Sequence, residues 1–142
     1  MTRPARLLLR SGLVLLAMLQ TTLGIWMLLA PRAFYNDVPT VSDYPPYNEH
    51  LISDLGALYL ALAIPLAIGA VTLAQPTVVP ALAAYAVFAA LHLTFHASHA
   101  DPTAGSVALD AGLAALLILV LTLLAVCLSQ RRSRAEDAPI QP

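Results

Sequence analysis

The chain has 142 residues, of which 59% are hydrophobic and 11% charged, with a formal net charge of -1. A soluble domain carries about 25% charged residues, so this chain has too little charge to cover a water-soluble globule, and lipid is its natural solvent. The absence of a basic stripe with interleaved aromatics argues against nucleic acid as a partner, and the single Cys127 excludes an internal disulfide or a CxxC thiol site.

Residues 1–10 carry Arg3, Arg6 and Arg10 ahead of the first long apolar run, 7–30. The run is longer than a signal-peptide core and no A-x-A-like site follows it, so an uncleaved signal-anchor helix is expected. Pro31 stops it. A loop of residues 31–47 follows, with Arg32 set against Asp37 and Asp43, and with Phe34, Tyr35, Tyr44 and Tyr47 clustered near Trp26 as an interfacial belt would be.

The second run, 51–74, begins just after Asn48-Glu49-His50 and carries Asp54; Pro65 within it reads as a local kink. A tight turn is expected at Gln75-Pro76-Thr77. The third run, 78–97, contains His92 and His96, with His99 just beyond. A second tight turn is expected at Asp101-Pro102-Thr103, with Thr103 or Ser106 capping the fourth run, 107–128, which carries Asp110 and Cys127. Cys127 reads as a packed, inert thiol. Residues 131–142 form a polar tail, expected to be disordered.

Each run approaches the ~20 residues needed to cross about 30 Å of hydrocarbon. The runs are rich in Leu and Ala and lack period-2 alternation, which favours helices over strands. The expected fold is therefore all-α, an integral membrane antiparallel four-helix bundle, in which the short turns make helices two, three and four neighbours. Arg131, Arg132 and Arg134 after the last run complement the three N-terminal arginines. The positive-inside rule then places both termini in the cytoplasm of a multi-pass protein of the cell membrane, with the first loop outside.

With that topology, every histidine falls in the outer half, together with Asp54, Asp101 and Asp110. At about 1.5 Å per residue, Asp54, His92 and Asp110 reach a similar depth on three helices. His92, His96 and His99 share an arc of about 60° on one helix face. His50 and Asp54 are an i,i+4 pair. Because charge is costly against lipid, these faces are expected to point into the bundle and towards one another. Imidazoles and carboxylates together suit a transition metal, so the expected ligands are His50, Asp54, His92, His96 and Asp110, with His99 and Asp101 peripheral. Zinc, iron or copper fits the donor set, and haem would need one or two of the histidines and a roomy apolar cleft. No HExxH or paired ExxH motif is present.

The segment Pro46-Tyr47-Asn48-Glu49-His50-Leu51, followed by Asp54, Gly56, Ala57 and Leu58, resembles small uncharacterised four-span membrane proteins of actinobacteria, and the size and layout resemble the broader DoxX-like group. The resemblance implies a four-helix membrane fold and, by analogy only, a link to quinone redox complexes. Three functional classes follow. One is a metal- or haem-binding, redox-linked membrane protein. The second is a non-catalytic accessory subunit or assembly factor, meeting another membrane protein or a second copy of itself. The third is a proton or ion pathway, which the wholly apolar inner half disfavours.

Overall fold

In a computed structural model, which describes residues 2–44, 46–99 and 104–136, all of the long elements are helices. They are α1 (Arg3–Leu29), α2 (Pro31–Asp37), α3 (Glu49–Thr72), α4 (Gln75–His99) and α5 (Ala104–Glu136), with a 3-10 turn at Val41–Asp43. Among the described residues four helices, all but α2, are long and apolar enough to cross a membrane. The chain is thus an all-α bundle and a multi-pass integral membrane protein. Each spanning helix satisfies its own backbone in lipid.

α1 packs against α3 and α5, and α4 packs against α3 and α5, closing a ring of four. The tightest seam joins α1 and α3, where two glycines remove the side chains that would hold the backbones apart. A Cβ on Gly56 would lie 3.0 Å from Gly24 O and 2.9 Å from the Met27 Cβ; one on Gly24 would lie 2.9 Å from Gly56 O. Such small-residue contacts are how membrane helices gain close packing without a hydrophobic drive between them. Towards the N-terminal end of α1 the core is apolar, with Leu13, Leu16, Leu66, Leu82, Tyr85, Val120, Leu123 and Cys127 all nearly inaccessible.

Local chemistry defines the ends. Asn48 caps α3: its Oδ1 accepts from the Leu51 N–H at 3.0 Å. Glu49 in the first turn complements the helix dipole. α3 ends at Leu73, which takes the left-handed conformation at φ 52° and donates its N–H to Gly69 O at 2.8 Å. The α3–α4 turn is therefore Leu73–Ala74, and Gln75-Pro76-Thr77, expected as the turn, is instead the first turn of α4. Pro is tolerated there because the first helical N–H groups have no intrahelical acceptor.

Three other expectations change. The first loop is largely folded, because α2 and the 3-10 turn fill it. Phe34 is buried with Met27, Ile52 and Tyr59 in a second apolar cluster, and its ring meets Trp26 edge-on at 5.5 Å. The polar tail begins as helix, since α5 continues to Glu136. Ser106 lies inside α5 and is buried, so it is not a cap; Asp101, Pro102 and Thr103 lie outside the described residues.

Candidate functional site: the N-terminal ends of α3 and α5 and the C-terminal end of α4

The antiparallel contacts set relative depth. Gln75 Nε2 donates to Cys127 O at 2.8 Å, and counting outward from that pair reaches His92 and Asp110 together (92 − 75 = 127 − 110 = 17). Likewise, two residues outward from the Gly24–Gly56 contact lie Trp26 and Asp54. Depth thus follows the expectation drawn from spacing.

Direction around the helix does not. The buried positions of α3 are Ile52, Gly56, Tyr59, Ala63, Leu66, Gly69 and Ala70. At about 100° per residue, His50 and Asp54 fall on the opposite side. Their side chains are 86% and 61% exposed, and they pair with each other, His50 Nε2 to Asp54 Oδ2 at 3.4 Å. Among the described residues, no three His, Cys, Asp or Glu side chains come together as a metal site requires. The convergence of His50 and Asp54 on the α4 histidines is therefore not what the chain adopts. The reason is the glycine seam, which turns the Gly56 face of α3 towards α1 and leaves the His50–Asp54 face outside.

The α4 histidines behave differently. They lie on the side of α4 that is buried further down by Val78, Leu82, Tyr85 and Ala89. His92 and His96 are half-buried. Their rings meet edge-on, with centroids 4.7 Å apart, and His92 stacks on Phe88 at 5.4 Å. His99 stacks on Phe95 at 4.4 Å and donates through Nδ1 to Phe95 O at 2.9 Å. Tyr44 of the α1–α3 loop closes over Phe95 at 5.3 Å. Tyr59 of α3 meets Phe88 at 5.3 Å. A continuous run of rings thus leads from mid-bundle to the α1–α3 loop. Asp110 on α5 is half-buried at the depth of His92.

The α1–α3 loop is tied down by charge and aromatic contacts. The Arg32 guanidinium lies 3.7 Å from the centroid of the Tyr47 ring. Tyr47 donates to Glu49 Oε2 at 3.3 Å. The Tyr47 phenol is raised above its ordinary value, first by desolvation, then by the Glu49 carboxylate, with Arg32 opposing.

Two features lie outside the site expected from the sequence. Gln20 of α1 is 1% exposed and its Nε2 has no hydrogen-bond partner among the described residues. It is an amide within an otherwise apolar run, so a search for all polar side chains, not only titratable ones, would have found it. Arg10, read as a topology signal, also bonds α3: Nε donates to Ala70 O at 3.1 Å and Nη2 to Val71 O at 3.4 Å.

The chain matches no protein family, no curated protein and no solved structure. What fold and site define is a class: a four-span helical membrane protein with histidines and carboxylates gathered at one end.

Proposed function

We propose that the protein is an accessory subunit of a membrane assembly, docking on another membrane protein through the outward face of α3. The observation that carries this reading is the exposed His50–Asp54 pair on a face of α3 that is apolar from Ala57 to Val71. A lipid-facing charge costs at least about 2.5 kcal/mol at the bilayer centre, and less towards the interface. Asp54 lies at the depth of Trp26, near the edge of the hydrocarbon, so a polar group on a neighbouring protein would relieve that cost. Ala57 and Ala61, exposed below Asp54, leave room for a helix to approach. In this reading the protein sits in the cell membrane with both termini cytoplasmic, since Arg3, Arg6 and Arg10 on α1 and Arg131, Arg132 and Arg134 on α5 share one end of the bundle.

A photo-crosslinking residue placed at Ala57 or Ala61 in intact membranes tests the docking face. The expected result is a discrete protein adduct that Asp54→Asn weakens, and none from Ile118 on the exposed side of α5. Adducts to lipid alone at all three positions would refute docking. A reporter fused after Pro142 that is active only outside the cytoplasm would refute the orientation.

The edge-on approach of His92 and His96 supports a second reading, a metal or haem ligated from α4. Two imidazoles one turn apart offer two donors, and any further ligand would come from the bound group itself or from a partner. Zinc, iron and copper suit such donors. The measurement is metal content and the visible spectrum of the purified protein. This reading expects loss of the bound species in His92→Ala and His96→Ala but retention in Asp54→Ala, because Asp54 faces away. Wild-type protein without metal or haem absorbance would exclude it.

A further inference from the structure

Away from the histidines, α1 and α3 frame an open groove of about 400 Å³ on the outer surface of the bundle, lined by Val14, Ala17, Met18, Thr21, Ala67 and Val71 among others. It belongs to neither functional reading above. Its walls are mostly apolar, and Met18 and Val71 are 63% and 77% exposed, so it opens to the surroundings rather than the core. From Val14 to Thr22 it follows α1 for about 12 Å.

The mouth of the groove is cationic. Arg10 lies one turn below Val14, and its guanidinium is anchored by its bonds to Ala70 O and to Val71 O, both groove residues. Those bonds use two N–H groups of the fork; the others remain for a second acceptor. Arg6 and Arg3 continue the line, both exposed. At about 100° per residue the three arginines fall within an arc of about 60°, and that arc overlaps the one holding Val14, Ala17 and Thr21. One face of α1 therefore presents a stripe of guanidinium groups that runs directly into an apolar channel.

We infer that this groove is a binding site for an anionic phospholipid of the leaflet at the arginine-bearing end. Its phosphate would lie on Arg10 and Arg6, and an acyl chain would lie along Val14, Met18 and Ala67. The charge of the mouth and the apolar lining of the groove select this occupant. A phosphate matches a pre-positioned guanidinium fork, and an acyl chain matches an open, mostly apolar groove that starts where the headgroup ends. A neutral-headgroup lipid satisfies only the channel, and a soluble anion only the mouth.

The test uses the full chain, reconstituted with equimolar phosphatidylglycerol and phosphatidylcholine of identical acyl chains, then re-extracted in mild detergent. Retained lipid is counted by native mass spectrometry. Wild type is expected to retain phosphatidylglycerol preferentially. An arginine near an anionic surface is worth about a fivefold preference, so Arg6→Gln should lower the ratio of the two lipids by about that factor. Ala67→Phe fills the groove from an exposed position and should reduce retention of both lipids; Thr22→Phe does the same from the far end and serves if the first variant fails to fold. Equal retention of the two lipids by wild type, an unchanged ratio in Arg6→Gln, or undiminished retention in a folded groove-filling variant would each overturn the assignment.

Discussion

The two faces of α3 are built from similar residues and do opposite things. One face presents Ile52, Gly56, Tyr59, Ala63, Leu66 and Ala70 to its neighbours and is buried along its whole length. The other presents His50, Asp54, Ala57, Ala61, Ile64 and Ile68 to the surroundings. Alanine and isoleucine occur on both, so apolarity does not choose between them. Gly56 does, because there the α1 backbone comes within contact of α3. The packed face holds the fold together, and the open face carries polar chemistry that the fold does not use.

That division is most directly broken at Gly56. Overpacking a core typically costs about 1–3 kcal/mol, and more where the obstacle cannot move. Here the obstacles are the Gly24 carbonyl and the Met27 Cβ, both fixed to the α1 backbone. Gly56→Leu is therefore expected to destabilise the protein by about 3 kcal/mol or more, read from unfolding in mixed micelles followed by circular dichroism. A Gly56→Leu protein with wild-type stability would mean that the seam is not what orients α3.

Arg10→Ala tests the same face at its other end. It removes two hydrogen bonds from a charged donor to the last carbonyls of α3. Bonds of this kind contribute about 1.5–3 kcal/mol when sheltered, but Arg10 is exposed, and solvent screening brings the expected loss to about 1 kcal/mol. Arg10→Lys keeps the charge but loses the forked geometry, and should fall between alanine and wild type.

On the open face the expectation reverses. Exposed ion pairs contribute about 0–1 kcal/mol, so His50→Ala and Asp54→Asn should leave unfolding within about 0.5 kcal/mol of wild type. The proposed docking should suffer while the fold does not. Destabilisation of the isolated protein equal to that of Arg10→Ala would place the pair inside the structural framework and erase the contrast.

The residues of α3 also explain what was legible beforehand. Helix number, order and depth follow from run length and rise per residue, which are local properties. Asp54, His92 and Asp110 do reach similar depths for that reason. The direction in which Asp54 points is set by a non-local event, the meeting of Gly24 with Gly56. The assumption that every membrane carboxylate faces inward stood in for that missing information. It failed because Asp54 lies at the level of Trp26, near the interface, where outward exposure costs less than at mid-membrane. The α4 histidines were read on a single face, and that face proved to continue the buried side of α4. Gln20 went unnoticed because it carries no charge, although an unpartnered amide in the core is as unusual as a buried ion.

The smallest expected effect lies just outside α3, where its open face meets the α1–α3 loop. Tyr47 donates to Glu49 in the first turn of the helix, while Arg32 sits over its ring. Desolvation and the Glu49 carboxylate both resist ionisation of the phenol, and Arg32 favours it; the first two prevail, so the phenol titrates above its ordinary value of 10.0. The sign for stability follows from linkage. A group with a raised folded value favours the folded state while it remains protonated, and that contribution fades as pH rises through the folded value. No effect is therefore expected near neutrality, and a small loss is expected only above about pH 10. Ultraviolet difference titration of wild type against Tyr47→Phe isolates this phenol. Glu49→Gln, which removes the carboxylate charge, should lower its midpoint, and Arg32→Gln should raise it further. If Glu49→Gln leaves the midpoint unchanged while Arg32→Gln moves it, the loop is held by the cation over the ring alone, and the hydrogen bond to α3 contributes nothing to its anchorage.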